Sequence, residues 1–344
     1  MKIYYQFGLS KHLEPDRGDK VNEIGLCLAL STFATVYYSG QLFRPEKKDY
    51  GLKDYPGDIP VTPDCDWYII RNNKEVFDRC EGKRIWISSP YDQEAFQKST
   101  LLFAFTDTWA RKLRQGEGIR KLNPRYEHWS QAVPFRQVVL PHFRYSHTDD
   151  QSRRQKIEQG GKKTIGVFGR ISRLTYPALL LQAFPELFRE GHELLFGSTH
   201  VKQGWDLPEM DGIIQRSFDN DRMVSVYNGC DVVVVSQIGS EWEFCGNLKT
   251  LEPTACGCPV ILQRSPAREE TLGVDYPFYL KPGVLTGEDT QPLIKLIHKA
   301  CQVTSGWREQ LSKKVLDRHG VAKAGEYLKQ LLTESGYVQC EYNH

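Results

Sequence analysis

Residues Asp219–Ile261 read DNDRMVSVYNGCDVVVVSQIGSEWEFCGNLKTLEPTACGCPVI. Val232–Val235 is an unbroken run of valines after Asp231. Such a run marks a strand covered on both faces, as in a parallel sheet flanked by helices. A helix precedes it, and Gly246 and Asn247 open a second helix that carries Leu248 and Glu252. Gly257 stops that helix, and Cys258-Pro259-Val260-Ile261 begins the next strand. Glu241 and Glu243 lie in the loop between strand and helix. Parallel α/β sheets present ligand groups at the carboxyl ends of their strands, so these acids and Gly246 stand where a ligand would be met.

Working upstream, Thr164–Phe168 is a second apolar strand, followed by Gly169, Arg170, Ser172 and Arg173, with Pro177 in the first turn of a helix. A glycine at a strand end lets backbone approach a ligand closely. Arginines beside a helix N-terminus offer charge and unsatisfied amides to a diphosphate. The plainer alternative makes Arg170 and Arg173 solvated loop residues.

The whole chain has 344 residues, 40% hydrophobic and 26% charged, with a net charge of +2. These values describe a globular protein of about two domains rather than a disordered chain or a polycation. No apolar stretch reaches membrane-spanning length. The first residues, MKIYYQFGLSKHL, read as a strand rather than a secretion signal. Nine cysteines without framework spacing suit reduced thiols in a cytoplasmic protein. Cys256 and Cys258 read as small core residues beside a tight turn rather than a metal pair.

Strands and helices alternate along both halves. In the first, strands are expected at Lys2–Phe7, Ala34–Tyr38, Trp67–Ile70, Arg84–Ser88, Leu101–Phe105 and Gln137–Leu140. The charged run from Asp149 to Lys163 reads as a linker. This divides the chain into a domain over 1–150, a linker over 151–163, a domain over 164–318 and a final helix over 319–344.

The segment resembles the donor-sugar signature of group-1 retaining glycosyltransferases of the GT-B fold. In that family a strand ends in a serine, an acid–glycine loop follows, and a second glutamate precedes an Ala-Cys-Gly-x-Pro-Val-Ile run. Here that run is Ala255–Ile261. The resemblance implies an α/β protein with two Rossmann-like, doubly wound domains facing a cleft. The first would bind the acceptor, the second the nucleotide sugar, and the C-terminal helix would cross back to the first.

It further implies that the backbone at Gly169, with Arg170 and Arg173, grips the donor diphosphate. Glu252 would bind ribose hydroxyls, Glu243 (with Glu241 as its rival) would accept hydrogen bonds from the sugar, and the amides of Gly246, Asn247 and Leu248 would face phosphate or sugar oxygens. Catalytic roles fall on Glu243, Arg170 and Arg173. Two departures stand out. The family's loop lysine is replaced by Thr175, and the position eight residues before Glu252 is Phe244, with Glu243 nine before it.

A GT-A enzyme would need an Asp-x-Asp at a strand end. Asp64-Cys65-Asp66 precedes its strand, and Asp219-Asn220-Asp221 opens a helix, where acids cap free amides. No essential metal or cofactor is expected beyond the nucleotide-diphosphate sugar itself. In the first half the loop Gly8–His12, Tyr91 and Asp92 would face the cleft, and His12, His128 and His142 stand out by location alone, so no catalytic base is named.

Between Arg111 and Arg144 eight Lys or Arg residues outnumber two Glu, with Tyr126, Trp129 and Phe135 interleaved. That composition suits an anionic acceptor or partner, DNA among them, or else a solvated surface. The acceptor readings are therefore a saccharide or lipid-linked glycan, or modified bases in DNA. The two departures also leave open a non-catalytic nucleotide-sugar-binding protein.

Overall fold

The computed structural model describes residues 1–7, 18–39, 53–54, 64–71, 73–87, 92–116, 129–169, 171, 175–197, 207–218, 222–237 and 248–334. The chain divides into two compact units: residues 1–140 together with 318–344, and residues 141–317.

Unit 1 contains β1 (Lys2–Phe7), α1 (Gly18–Ser31), β2 (Thr35–Ser39), β3 (Lys53–Asp54), β4 (Trp67–Arg71), α2 (Lys74–Arg79), β5 (Arg84–Ile87), α3 (Gln93–Lys98), β6 (Leu101–Ala104), α4 (Asp107–Gln115) and β7 (Ala132–Pro134). All strands pair in parallel, in the order β3-β2-β1-β4-β5-β6-β7. Buried on both faces, β4 and β6 are apolar almost throughout. The helices start where a side chain satisfies a first-turn amide. Asn73 accepts from Val76 N at 3.2 Å, Asp92 from Ala95 N at 2.9 Å and Thr106 from Trp109 N at 3.0 Å. Gln137–Leu140, expected as a strand, forms only a single bridge from Val139 to Gly320.

Unit 2 contains α5 (His147–Glu158), β8 (Lys163–Phe168), α6 (Ala178–Arg189), β9 (His192–Gly197), β10 (Ile213–Arg216), α7 (Met223–Gly229), β11 (Val232–Val235), α8 (Leu248–Ala255), β12 (Val260–Gln263), α9 (Pro266–Leu272), β13 (Tyr279–Leu280) and α10 (Gln291–Ala300). Its strands are also all parallel, in the order β10-β9-β8-β11-β12-β13. Along α11 (Ser305–His319) the chain leaves unit 2. It then forms α12 (Val321–Glu334), which packs on α1 through Ala324, Gly325, Leu328 and Leu332. A Cβ at Gly325 would press on the Ala29 carbonyl and Thr32, so the two helices meet at van der Waals limits only because residue 325 is glycine.

The expected linker is corrected by α5, which belongs to unit 2. Its charges are spent inside the unit. Arg153 donates to Asp150 at 2.7 Å and also pairs with Asp231, whose other oxygen accepts from Thr164 N at 2.8 Å. Asp150 accepts further bonds from Tyr145 (2.9 Å) and Ser305, and Arg308 donates to the Asp231 carbonyl at 2.8 Å. Burial would push the Asp150 carboxyl up, but hydrogen bonds from Ser305 and Arg153 and the Arg153 charge prevail and hold it at about 2.

Candidate functional site

In unit 2 the connections run to opposite sides of the sheet from the β8/β11 pair. The carboxyl ends of these two strands therefore flank the crevice where open α/β sheets take ligands. A small hollow lies there, lined by Val167, Phe168, Gly169, Ile171 and Thr175 on one side and by Val234–Gln237 and Lys249 on the other. Gly169 has φ 96°, a conformation that favours glycine, and its N–H still bonds the Gly197 carbonyl at 2.9 Å. The chain thus turns sharply at the strand end without losing the sheet ladder. Ser236, the serine after the valine run, donates to the Thr175 carbonyl at 2.7 Å and ties the far end of the β8 loop across the top of β11.

Lys249 sits in the first turn of α8, which packs on β11 and β12. Its Cε and Nζ occupy the space that a Cβ on Gly169 would need. Burial lowers the ammonium to about 8. One turn further along the same face stands Glu252, 8% exposed. Its carboxylate accepts from the Tyr227 hydroxyl at 3.2 Å, and the Tyr227 ring meets Phe168 edge-on at 5.0 Å. Glu252 therefore stands behind the Phe168 wall of the hollow. Burial raises it to about 8, against the lowering effect of the Tyr227 bond. On the far side, buried Arg268 in α9 donates to the Gln263 carbonyl at 2.5 Å and the Gln237 carbonyl at 3.5 Å, holding the ends of β12 and β11 level.

Of the residues singled out from sequence, the structure brings Gly169 to the hollow and places Leu248, buried, and Glu252 on the helix beside it. Arg170, Arg173, Glu241, Glu243, Gly246 and Asn247 lie outside the described residues, as do His12, His128, Tyr91, Asp219-Asn220-Asp221 and the loop Gly8–His12. Lys249 was not anticipated; the available signal was a lysine in the first turn of a helix, where the helix dipole disfavours a cation. Asp66 is accounted for structurally, accepting from Lys2 N at 2.7 Å, and Asp92 is the α3 cap. Half-buried His142 packs on Phe143 with ring centroids 4.3 Å apart. Cys256 and Cys258 are fully buried core residues.

The basic, aromatic stretch from 111 to 144 is corrected in one respect. Trp129 and Phe135 are each only 3% exposed and belong to the core, so neither can stack on a ligand. Arg136 lies over the Tyr327 ring at 4.3 Å. Tyr126 lies outside the described residues.

Two Rossmann-like parallel sheets, each with its helices and the second with an open crevice at its switch point, define the GT-B fold. Solved structures share it at low sequence identity. HepE from Anabaena in complex with UDP-glucose aligns over 97% of this chain and 100% of its own, at 13% identity and a TM-score of 0.65. A glycosyltransferase from Rickettsia africae aligns over 98% of both chains at 11% identity and TM-score 0.65. The catalytic domain of starch synthase IV from Arabidopsis thaliana, bound to ADP and acarbose, aligns over 97% of this chain and 99% of its own, at 10% identity and TM-score 0.65. No protein-family model matches the chain, and no curated protein matches it. Among the described residues no helix is long and apolar enough to cross a membrane.

Proposed function

We propose that this protein is a glycosyltransferase that moves a sugar, with retention and without a metal, from a nucleotide-diphosphate donor to a saccharide or lipid-linked glycan. The observation that carries the reading is the hollow at the β8/β11 switch point, with glycine backbone on one wall and the first turn of α8 on the other. Related folds solved with UDP-glucose or ADP make a nucleoside diphosphate the ligand class to test.

Breaking the glycosidic bond leaves charge on the departing diphosphate. Amides at the start of α8, which lack intrahelical acceptors, together with Arg170 and Arg173, are the groups assigned to hold it. Glu243, with Glu241 as rival, is assigned to the sugar hydroxyls, the amides of Gly246 and Asn247 to phosphate or sugar oxygens, and Glu252 to the ribose. Free thiols at all described cysteines suit a reducing, cytoplasmic setting. A saccharide acceptor is preferred over DNA because the Trp129 and Phe135 rings are consumed by the core.

The test is a panel of nucleotide sugars, read first by thermal shift and then by transfer to glycan acceptors and to duplex DNA. One nucleotide sugar should raise the melting temperature, because a ligand that binds only the folded state stabilises it. Arg170→Ala should weaken binding of that donor about tenfold or more, as expected for loss of a charge-assisted contact. A panel with no stabilising donor would sink the reading, as would glycosylation of DNA in place of glycans for the acceptor assignment.

A further inference from the structure

We propose that unit 1 carries a binding surface for an acidic glycan, formed by Arg111 and Arg114 of α4 and by Arg136 beside α12. The inference names the chemistry of the acceptor and so rests on the transferase reading above. Asp107, Arg111 and Arg114 recur at the i, i+4, i+7 spacing of one helix face, while Ala110 and Leu113 are buried. Arg111 is exposed, and Arg114 and Arg136 are half-buried. Arg136 follows the end of β7, and its guanidinium lies over the Tyr327 ring at 4.3 Å. The Tyr327 hydroxyl donates to the Pro134 carbonyl at 2.9 Å, so ring and arginine are fixed to the end of that strand. Burial and Asp107 push the Tyr327 phenol up, whereas Arg136, Arg318 and Arg114 pull it down, so these four charges surround one ring.

The acids of this neighbourhood are already engaged. Asp107 pairs with Arg318 at 3.5 Å and Glu326 with Lys323 at 2.8 Å. Among the described residues no carboxylate lies within ion-pair distance of Arg111, Arg114 or Arg136. The last-turn position of Arg114 suits the helix dipole without any ligand, but Arg136 stands on no helix. A guanidinium already settled over a ring loses little freedom on meeting an anion, and a carboxylate matches it with two parallel hydrogen bonds. Three arginines on two elements suit an extended chain that repeats its carboxylates rather than one small anion. A membrane surface fits less well. The large apolar side chains exposed among the described residues are Met1, Met210 and Val274, none of which belongs to α4, α12 or the end of β7. Duplex DNA also fits less well, since proteins that hold it contact about six to ten phosphates.

The experiment measures binding of oligogalacturonate, maltooligosaccharide, phosphatidylglycerol vesicles and duplex DNA to the whole chain. Wild type should bind oligogalacturonate more tightly than the uncharged maltooligosaccharide at about 20 mM salt. That advantage should shrink at about 200 mM, because salt screens exposed charges. The double variant Arg114→Gln/Arg136→Gln should bind oligogalacturonate about tenfold more weakly, as expected when two partly exposed charge contacts are lost together. Its affinity for maltooligosaccharide should be unchanged. Equal affinity for the acidic and the neutral glycan overturns the proposal. So does tighter binding of vesicles or DNA than of oligogalacturonate, and so does full affinity in the double variant.

If the double variant fails to fold, Arg111→Glu, at an exposed position, carries the test. It should lower oligogalacturonate affinity about threefold or more, and unchanged affinity overturns the proposal. Donor binding, read by thermal shift on the same proteins, should be unaffected by these substitutions. A wild type that holds oligogalacturonate but no nucleotide sugar refutes the transferase reading and leaves the surface standing. One that holds a nucleotide sugar but no oligogalacturonate refutes the surface alone.

Discussion

At the scale of single residues, Glu252 illustrates how burial rather than sequence sets chemistry. Its folded-state value of about 8 lies above the ordinary carboxylate value, so the folded protein prefers the protonated form. Its contribution to stability is therefore full below about pH 4.5 and is lost as the pH rises through about 8. Glu252→Gln mimics the protonated state. It should melt close to wild type at pH 5 and above wild type at pH 9, as calorimetry at the two values would show. Nucleotide affinity behaves differently. Ribose hydroxyls donate best to an ionised carboxylate, so the ratio of wild-type to Glu252→Gln affinity should rise between pH 7 and 8. Parallel profiles for the two proteins would remove Glu252 from the ribose site. The sequence singles out Glu252 only through the family resemblance, and its burial and raised proton affinity are not visible there. The partnership of Lys249 with Gly169 is equally hidden, because it joins residues on separate strand–helix units.

At the scale of elements, what was legible in sequence follows from how parallel sheets are buried. Val232–Val235 and Thr164–Phe168 announced β11 and β8 because both faces of those strands must be apolar. The stop of α8 at Gly257, where φ is 75°, was equally plain from glycine placement. The segment that became α5 misled for an equally physical reason. Its inward face is built from Asp150 and Arg153, which satisfy one another and Asp231, so a polar composition hid a buried helix. Strand β7 escaped notice because Ala132–Pro134 has neither length nor alternation. The close fit of α12 on α1 gives a prediction at this scale. Gly325→Ala would push a methyl group into the Ala29 carbonyl and Thr32, and it should destabilise unit 1 by about 1–3 kcal/mol. Urea unfolding followed by Trp67 and Trp86 fluorescence would measure this; an unchanged midpoint would mean that the helices can separate without cost.

At the scale of the whole molecule, unit 2 is continuous in the chain whereas unit 1 is assembled from both ends. A fragment covering residues 141–317 retains its full six-stranded sheet and the Asp150–Arg153–Asp231 network, and it should fold alone. Removing one member of a buried network leaves a stranded charge, so Asp150→Ala should cost that fragment about 3–5 kcal/mol. The sign with pH is fixed by the lowered carboxyl. Asp150 contributes stability above about pH 4 and loses it as the pH falls toward 2. Acid titration of the fragment and its Asp150→Ala variant by circular dichroism should show the two converging at low pH; a constant difference would count against the network. The discontinuity of unit 1 also dictates an order of events on the ribosome. Its sheet emerges before unit 2 yet must wait for α12, which follows unit 2 in the chain, while the middle unit can close as soon as it clears the exit tunnel. A late stop codon would therefore injure the part of the protein that was synthesised earliest, leaving the apolar face of α1 for chaperones to cover.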